Sequence, residues 1–306
     1  SMNAILTTLS RNSSVGCVTA YSPWVTLAHQ HDFRIGNATL AKISAVECQL
    51  GSPVSEDNCN GIEYFKPTAL RLINPNGHDF ARCVSDLHNR QPLTQLCLTG
   101  IFDSSLLDPL IHYLRLPTLQ LQALSLVETG NNDRSEFIPI LAQLTCLQRL
   151  VLHVSPFDPD RMWLYFTCTQ LQTLGLSPSF VVRDRVLQVL AQNVDLQTLI
   201  ITIDGEESTC KTLSKFSNLQ CLRLKLPTCS ASAIHCLYQL PKLRHLFLQP
   251  NQEDQVADPS ITRLILKPLE YMSCMFTLPR FCAGEYLHGI TTNTTLTWCN
   301  IPPIEG

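Results

Sequence analysis

Two groups of residues in this chain are of types that do chemistry when a fold brings them together. The first is N-terminal and comprises Cys17, His29, His31 and Asp32, with Cys48 and Cys59 further along. A thiol whose proton is withdrawn by an imidazole, with a third group fixing the ring, is a nucleophile; the same side chains also bind zinc. The spacing supports neither use. No cysteine-hydrolase signature surrounds Cys17, and the chain has no C-x-x-C or H-x-x-x-H pair. Phosphate-cradling glycine loops of the G-x-G-x-x-G or Walker kind are also missing. The expectation is a non-enzymatic protein with no catalytic residue, no metal and no cofactor.

The second group is Ile200, Arg223, Lys225, His245, Phe247, Arg263, Ile265 and Lys267. Its chemistry is recognition: guanidinium and ammonium groups pair with carboxylates, and aromatic and Arg side chains are common anchors of protein interfaces. These residues occupy alternate positions in short apolar segments, so a strand would project them all from one side.

The elements that would position them come from a recurring phrase, L-x-x-L-x-L. Its middle apolar residue falls at Leu70, Leu96, Leu124, Leu150, Leu174, Leu199, Leu222, Leu246, Leu264 and Leu296, in steps of 26, 28, 26, 24, 25, 23, 24, 18 and 32 residues. The last two steps sum to 50, or two normal periods. A period in this range marks units too small to bury their apolar faces alone, which stack on their neighbours instead. Each unit is expected to open with a strand whose phrase leucines point inward and whose third, fifth and seventh positions point out. None of the thirty outward positions so defined is Asp or Glu, although the chain has 25 acidic residues to 22 basic.

Between strands, "RVLQVLAQNVDLQTLII" from Arg185, "AIHCLYQLPKLRHLFL" from Ala233, "FIPILAQLTCLQRLVL" from Phe137 and "YLHGITTNTTLTWCNI" from Tyr286 carry apolar residues three and four apart, which is helical spacing. These segments resemble the ribonuclease-inhibitor-like class of leucine-rich repeats over about residues 65 to 300. The resemblance implies an α/β solenoid, a horseshoe or arc with a concave parallel sheet and convex helices. It also implies a binding role of the kind found in cytosolic immune receptors and in substrate-recruiting arms of ubiquitin ligases. One departure is plain: the Asn or Cys that usually follows the phrase at the ninth position is present strictly only as Asn251, which predicts irregular turns. Residues 1–64 lack the phrase and are expected to form an N-terminal cap, with 65–306 the repeat domain of nine or ten units.

Composition narrows the partner. A net charge of −3, a pI near 6.3 and no block of Lys and Arg argue against nucleic acid. No stretch of about 18 apolar residues suggests a membrane span, and the N-terminus shows no signal-peptide pattern. Fourteen cysteines are scattered rather than clustered at the ends, which favours reduced thiols and a cytoplasmic location, against three N-x-S/T triplets at Asn12, Asn37 and Asn293. Trp163, Tyr165 and Phe166 read as packing after a convex segment, and His153 and His245 as polar surface. The chain is therefore expected to be a monomeric scaffold with a protein partner and no small-molecule substrate. Its concave face in the last four repeats is expected to bind an acidic segment through Phe247, Ile200 and Ile265 among Arg223, Lys225, Arg263 and Lys267, with His245 alongside. A substrate-recruiting ubiquitin-ligase adaptor and a bacterial leucine-rich-repeat effector acting on a host protein are the alternatives.

Overall fold

The computed structural model describes residues 17–21, 45–49, 69–73, 77, 80, 81, 84, 93–102, 104–128, 138–141, 143–153, 170–252, 255–300 and 304. The side chains of residues 17–21 and 45–49, together with His29, His31, Asp32, Cys59, Trp163, Tyr165 and Phe166, lie outside the described residues. The chain divides into two compact units, 1–149 and 150–306.

In the first unit, strands β1 (Cys17–Tyr21), β2 (Ala45–Gln49), β3 (Ala69–Ile73), β4 (Gln95–Gly100) and β5 (Ala123–Glu128) pair in parallel and in sequence order. Register follows the phrase: Leu70, Leu96 and Leu124 are partners, as are Leu72, Leu98 and Leu126. Two strands thus precede the first leucine phrase, and β2 places Val46 and Cys48 opposite Leu70 and Leu72. Helix α1 (Ser104–Leu114) fills the crossover after β4, and α2 (Ile138–Leu141) follows β5.

The second unit continues with β6 (Arg149–His153), which starts at the unit boundary, then β7 (Thr173–Leu176), β8 (Val181–Val182), β9 (Thr198–Ile203), β10 (Cys221–Leu226), β11 (His245–Pro250), β12 (Tyr271–Cys274) and β13 (Trp298–Cys299). The order is β6-β7-β9-β10-β11-β12-β13, with the two-residue β8 beside β9. Between strands run α3 (Asp184–Leu190), α4 (Glu207–Leu213), α5 (Ala231–Tyr238), α6 (Thr262–Ile265) and α7 (Ala283–Thr292), each packing on the next. All four segments with three-and-four spacing contain helix. The fold is an α/β leucine-rich repeat built on parallel strands.

Alternation along the strands sets the two faces of the sheet. Leu222, Leu224 and Leu226 are fully buried, as are Leu199 and Leu246, while Cys221, Arg223 and Lys225 between them keep contact with water. The helices bury their own apolar sides, for example Val186, Leu187 and Leu190 of α3 and Ala233, Ile234 and Leu237 of α5. Burying one Leu side chain is worth about 1.5–3 kcal/mol, so a one-residue slip of register is strongly opposed.

Where the usual Asn ladder is missing, a different one stands at the turns into β9, β10, β11, β12 and β13. Asn193 donates to the Leu171 carbonyl at 3.0 Å and Asn218 to the Val194 carbonyl at 2.6 Å. Lys242 donates to Asn218 Oδ1 at 2.6 Å, Lys267 to the Leu240 carbonyl at 2.6 Å, and Asn293 to the Lys267 carbonyl at 3.0 Å. Each side chain reaches a turn one repeat back and satisfies an acceptor that the turn leaves open. Asn293, one of the three N-x-S/T triplets, also bonds the Ile265 carbonyl, so its amide is engaged within the fold.

Candidate functional site: the open face of the strands in the second unit

Parallel register lines up the outward side chains of the second unit in columns. One column runs Thr198, Cys221, His245, Tyr271 and Trp298; the next runs Gly175, Ile200, Arg223, Phe247 and Ser273; a third holds Thr202, Lys225 and Gln249. Gly175 has no side chain, and Val151 at 3.4 Å and Ile200 at 3.8 Å from its Cβ position close over it, so the glycine is buried between them.

At the C-terminal end of these columns the aromatics touch. Tyr271 and Trp298 stack with ring centroids 4.2 Å apart and planes 5° from parallel; Phe247 leans on Tyr271 at 4.6 Å, and His245 meets Tyr271 edge-on at 6.3 Å. Offset and edge contacts of this kind contribute about 0.5–1.5 kcal/mol each beyond simple burial, so the ridge is ordered before any ligand arrives. Trp298 keeps 44% of its surface exposed.

Charge is distributed unevenly around the ridge. Arg223 is exposed and Lys225 half-exposed on β10, and neither has a carboxylate partner among the described residues. No outward position from β7 to β13 is Asp or Glu. Glu270, just ahead of β12, is held at 2.7 Å by Arg244 and lies 3.4 Å from His245, so its charge is compensated at the rim. Burial, and after it the Arg223 guanidinium, hold the His153 imidazole below its usual range. His153 and Arg223 therefore share one electrostatic neighbourhood.

Of the residues singled out from the sequence, Ile200, Arg223, Lys225, His245 and Phe247 stand together on this face. Arg263, Ile265 and Lys267 do not, because the segment read as the phrase around Leu264 is helical. Asp258 caps it, its Oδ1 accepting from the Ser260 amide at 2.9 Å; Pro259 occupies the first turn, and Ile261, Leu264 and Ile265 follow at spacing three and four. Arg263 projects from α6 on the helix side, and Ile265 is fully buried. The Lys267 ammonium is buried, donating to the Tyr238 and Leu240 carbonyls at 2.8 and 2.6 Å. The phrase copy centred on Leu296 shifts too, since Cys299 is the residue that pairs with Met272.

Tyr271 and Trp298, the centre of the ridge, were missed because Met272, Cys274 and Cys299 replace leucine at the inward positions. The signal lay in the spacing. Steps of 18 and 32 residues become 26 and 27 once the strand is centred on Met272 and the next on Cys299.

No protein-family description matches the chain, and no curated protein is similar to it at a significant level. Among solved structures it is similar to an internalin of Listeria monocytogenes, with 15% identity over 93% of this chain and 89% of that one and a TM-score of 0.45. It is also similar to a leucine-rich-repeat protein of Leptospira interrogans, with 14% identity over 98% and 94% of the two chains and a TM-score of 0.34. The chain's own register and alternation define its class: a leucine-rich-repeat protein that leaves one face of a parallel sheet without helices over it among the described residues.

Proposed function

We propose that the chain is a non-enzymatic binding scaffold that holds an acidic, apolar segment of a protein partner on the open face of β9 to β13. The observation that carries this reading is a pre-stacked aromatic ridge of Phe247, Tyr271 and Trp298 beside two cations, Arg223 and Lys225, on strands with no Asp or Glu at an outward position among the described residues. Rigid aromatics supply contact area at little entropic cost, and unpaired cations select the sign of the approaching chain. Ile200 adds apolar surface beside Arg223, its register partner. Nine described cysteines are unpaired thiols, several of them buried, which supports a reducing compartment.

The test is capture of partners by the immobilised protein, with quantitative comparison among wild type, Arg223→Glu/Lys225→Glu and Phe247→Ala. Truncating a central anchor costs 2 kcal/mol or more, or roughly a 30-fold loss of affinity. The proteins lost from both variants are the partners; an unchanged set ends the proposal. A ubiquitin-ligase component among them makes the chain a substrate-recruiting adaptor, and recovery from host but not source cells makes it an effector.

A further inference from the structure

The opposite, helical side of the second unit contains an apolar groove that the sheet-face reading leaves unused. Beside the eight-residue α5 run a 3-10 turn (Pro259–Ile261) and the four-residue α6 that continues it, and side chains of all three line an open groove. The resulting groove has a volume of about 590 Å³ and is walled by Ile234, Tyr238 and Leu266, with His235 and Arg263 at its rim. Tyr238 is 48% exposed and Leu266 67% exposed, an unusual exposure for two large apolar side chains placed side by side. Beneath them the Lys267 ammonium lies 5.5 Å from the Tyr238 ring centroid. Arg263 makes no ion pair with any described residue, and no Asp or Glu lines the groove.

We propose that this groove docks an acidic amphipathic helical segment of a protein partner, at a site separate from the sheet face. Its walls are open to water, so an occupant must cover apolar surface with one side and keep a polar side solvated, as a helix in a groove does. Complementarity to the exposed Arg263 at the rim sets the sign of that polar side. An enclosed cavity would suit a free amphiphile, but two of the three walls, Tyr238 and Leu266, are exposed, and only Ile234 is buried.

The experiment uses the full chain carrying Arg223→Glu and Lys225→Glu, which silences the sheet face. Binding is read by fluorescence anisotropy of a labelled peptide of about twelve residues with Leu at helical spacing and Glu between. The comparison probes are the same peptide with Lys for Glu, a scrambled acidic peptide, and dodecanoate. The acidic amphipathic peptide is expected to bind, and Arg263→Glu and Leu266→Asp, both at exposed positions that leave the circular dichroism spectrum unchanged, are each expected to weaken it roughly tenfold or more. Equal binding of the Lys or scrambled peptide, displacement by dodecanoate, no effect of Arg263→Glu, or no binding at all overturns the groove assignment. Partner capture by the sheet face is read separately with Arg263→Glu alone, so either proposal can fail while the other stands.

Discussion

Arg223 and Leu224 are chain neighbours on opposite faces of β10, and exchanging each tests the alternation on which the face depends. Leu224 is 0% exposed between Ile201 and Leu248, its register partners on β9 and β11. Leu224→Ala removes buried methyl groups and leaves a cavity, at a cost of about 2–5 kcal/mol. At about 2–4 °C per kcal/mol for a body of this size, the melting midpoint falls by roughly 5–15 °C. Arg223 is exposed and has no carboxylate partner among the described residues, so Arg223→Glu changes stability by about 0.5 kcal/mol or less, within about 2 °C. Binding reverses the order: Arg223→Glu removes the acidic partner, while Leu224→Ala, assayed well below its midpoint, retains it. Thermal melts by far-UV circular dichroism with partner capture on the same samples measure both. If Arg223→Glu lowers the midpoint as much as Leu224→Ala, the reasoning from alternation is refuted.

Three further outcomes follow from the same geometry. Because burial, and after it Arg223, hold His153 below its usual range, the unfolded chain takes up this proton first as pH falls below about 6.5, so stability of the free protein declines over that interval, and His153→Gln flattens the decline in pH-resolved melts. Tyr271→Ala removes the middle ring of the ridge and is expected to cost about 1–3 kcal/mol of stability through its contacts with Phe247 and Trp298, with quenched Trp298 fluorescence shifting on the loss of the stack. Lys267→Met leaves two carbonyls at the end of α5 unpaired and is expected to cost about 2–4 kcal/mol in denaturant unfolding without altering partner capture by the sheet face.

Much of the fold was legible because leucine marks the inward positions of β3 to β7 and β9 to β11, and because three-and-four spacing marks α2, α3, α5 and α7. The ninth-position Asn was rightly read as scarce, but its substitute at the turns into the strands pairs residues one repeat apart, a relation that appears only when repeats stack. The site was half legible. Arg223, Lys225, His245 and Phe247 follow from period-two alternation, whereas Tyr271 and Trp298 sit beside Met and Cys, which carry no leucine signal. The Asp258–Pro259 cap and the helical spacing of Ile261, Leu264 and Ile265 identify α6, yet leucines at 264 and 266 also satisfy the strand phrase; local pattern alone does not separate the two. Regular spacing does, since a strand centred on residue 264 breaks the period on both sides.

Cys221 offers the most direct test of the central claim, because it stands on the open face between Thr198 and His245, while Cys146 is an exposed thiol on none of the strands of that face. Alkylation by a maleimide, followed by mass spectrometry at both thiols, compares the free protein with its complex. Occupation of the face predicts that labelling of Cys221 slows by roughly tenfold or more in the complex while Cys146 reacts unchanged. Equal rates at Cys221 in the free and bound protein would contradict the account.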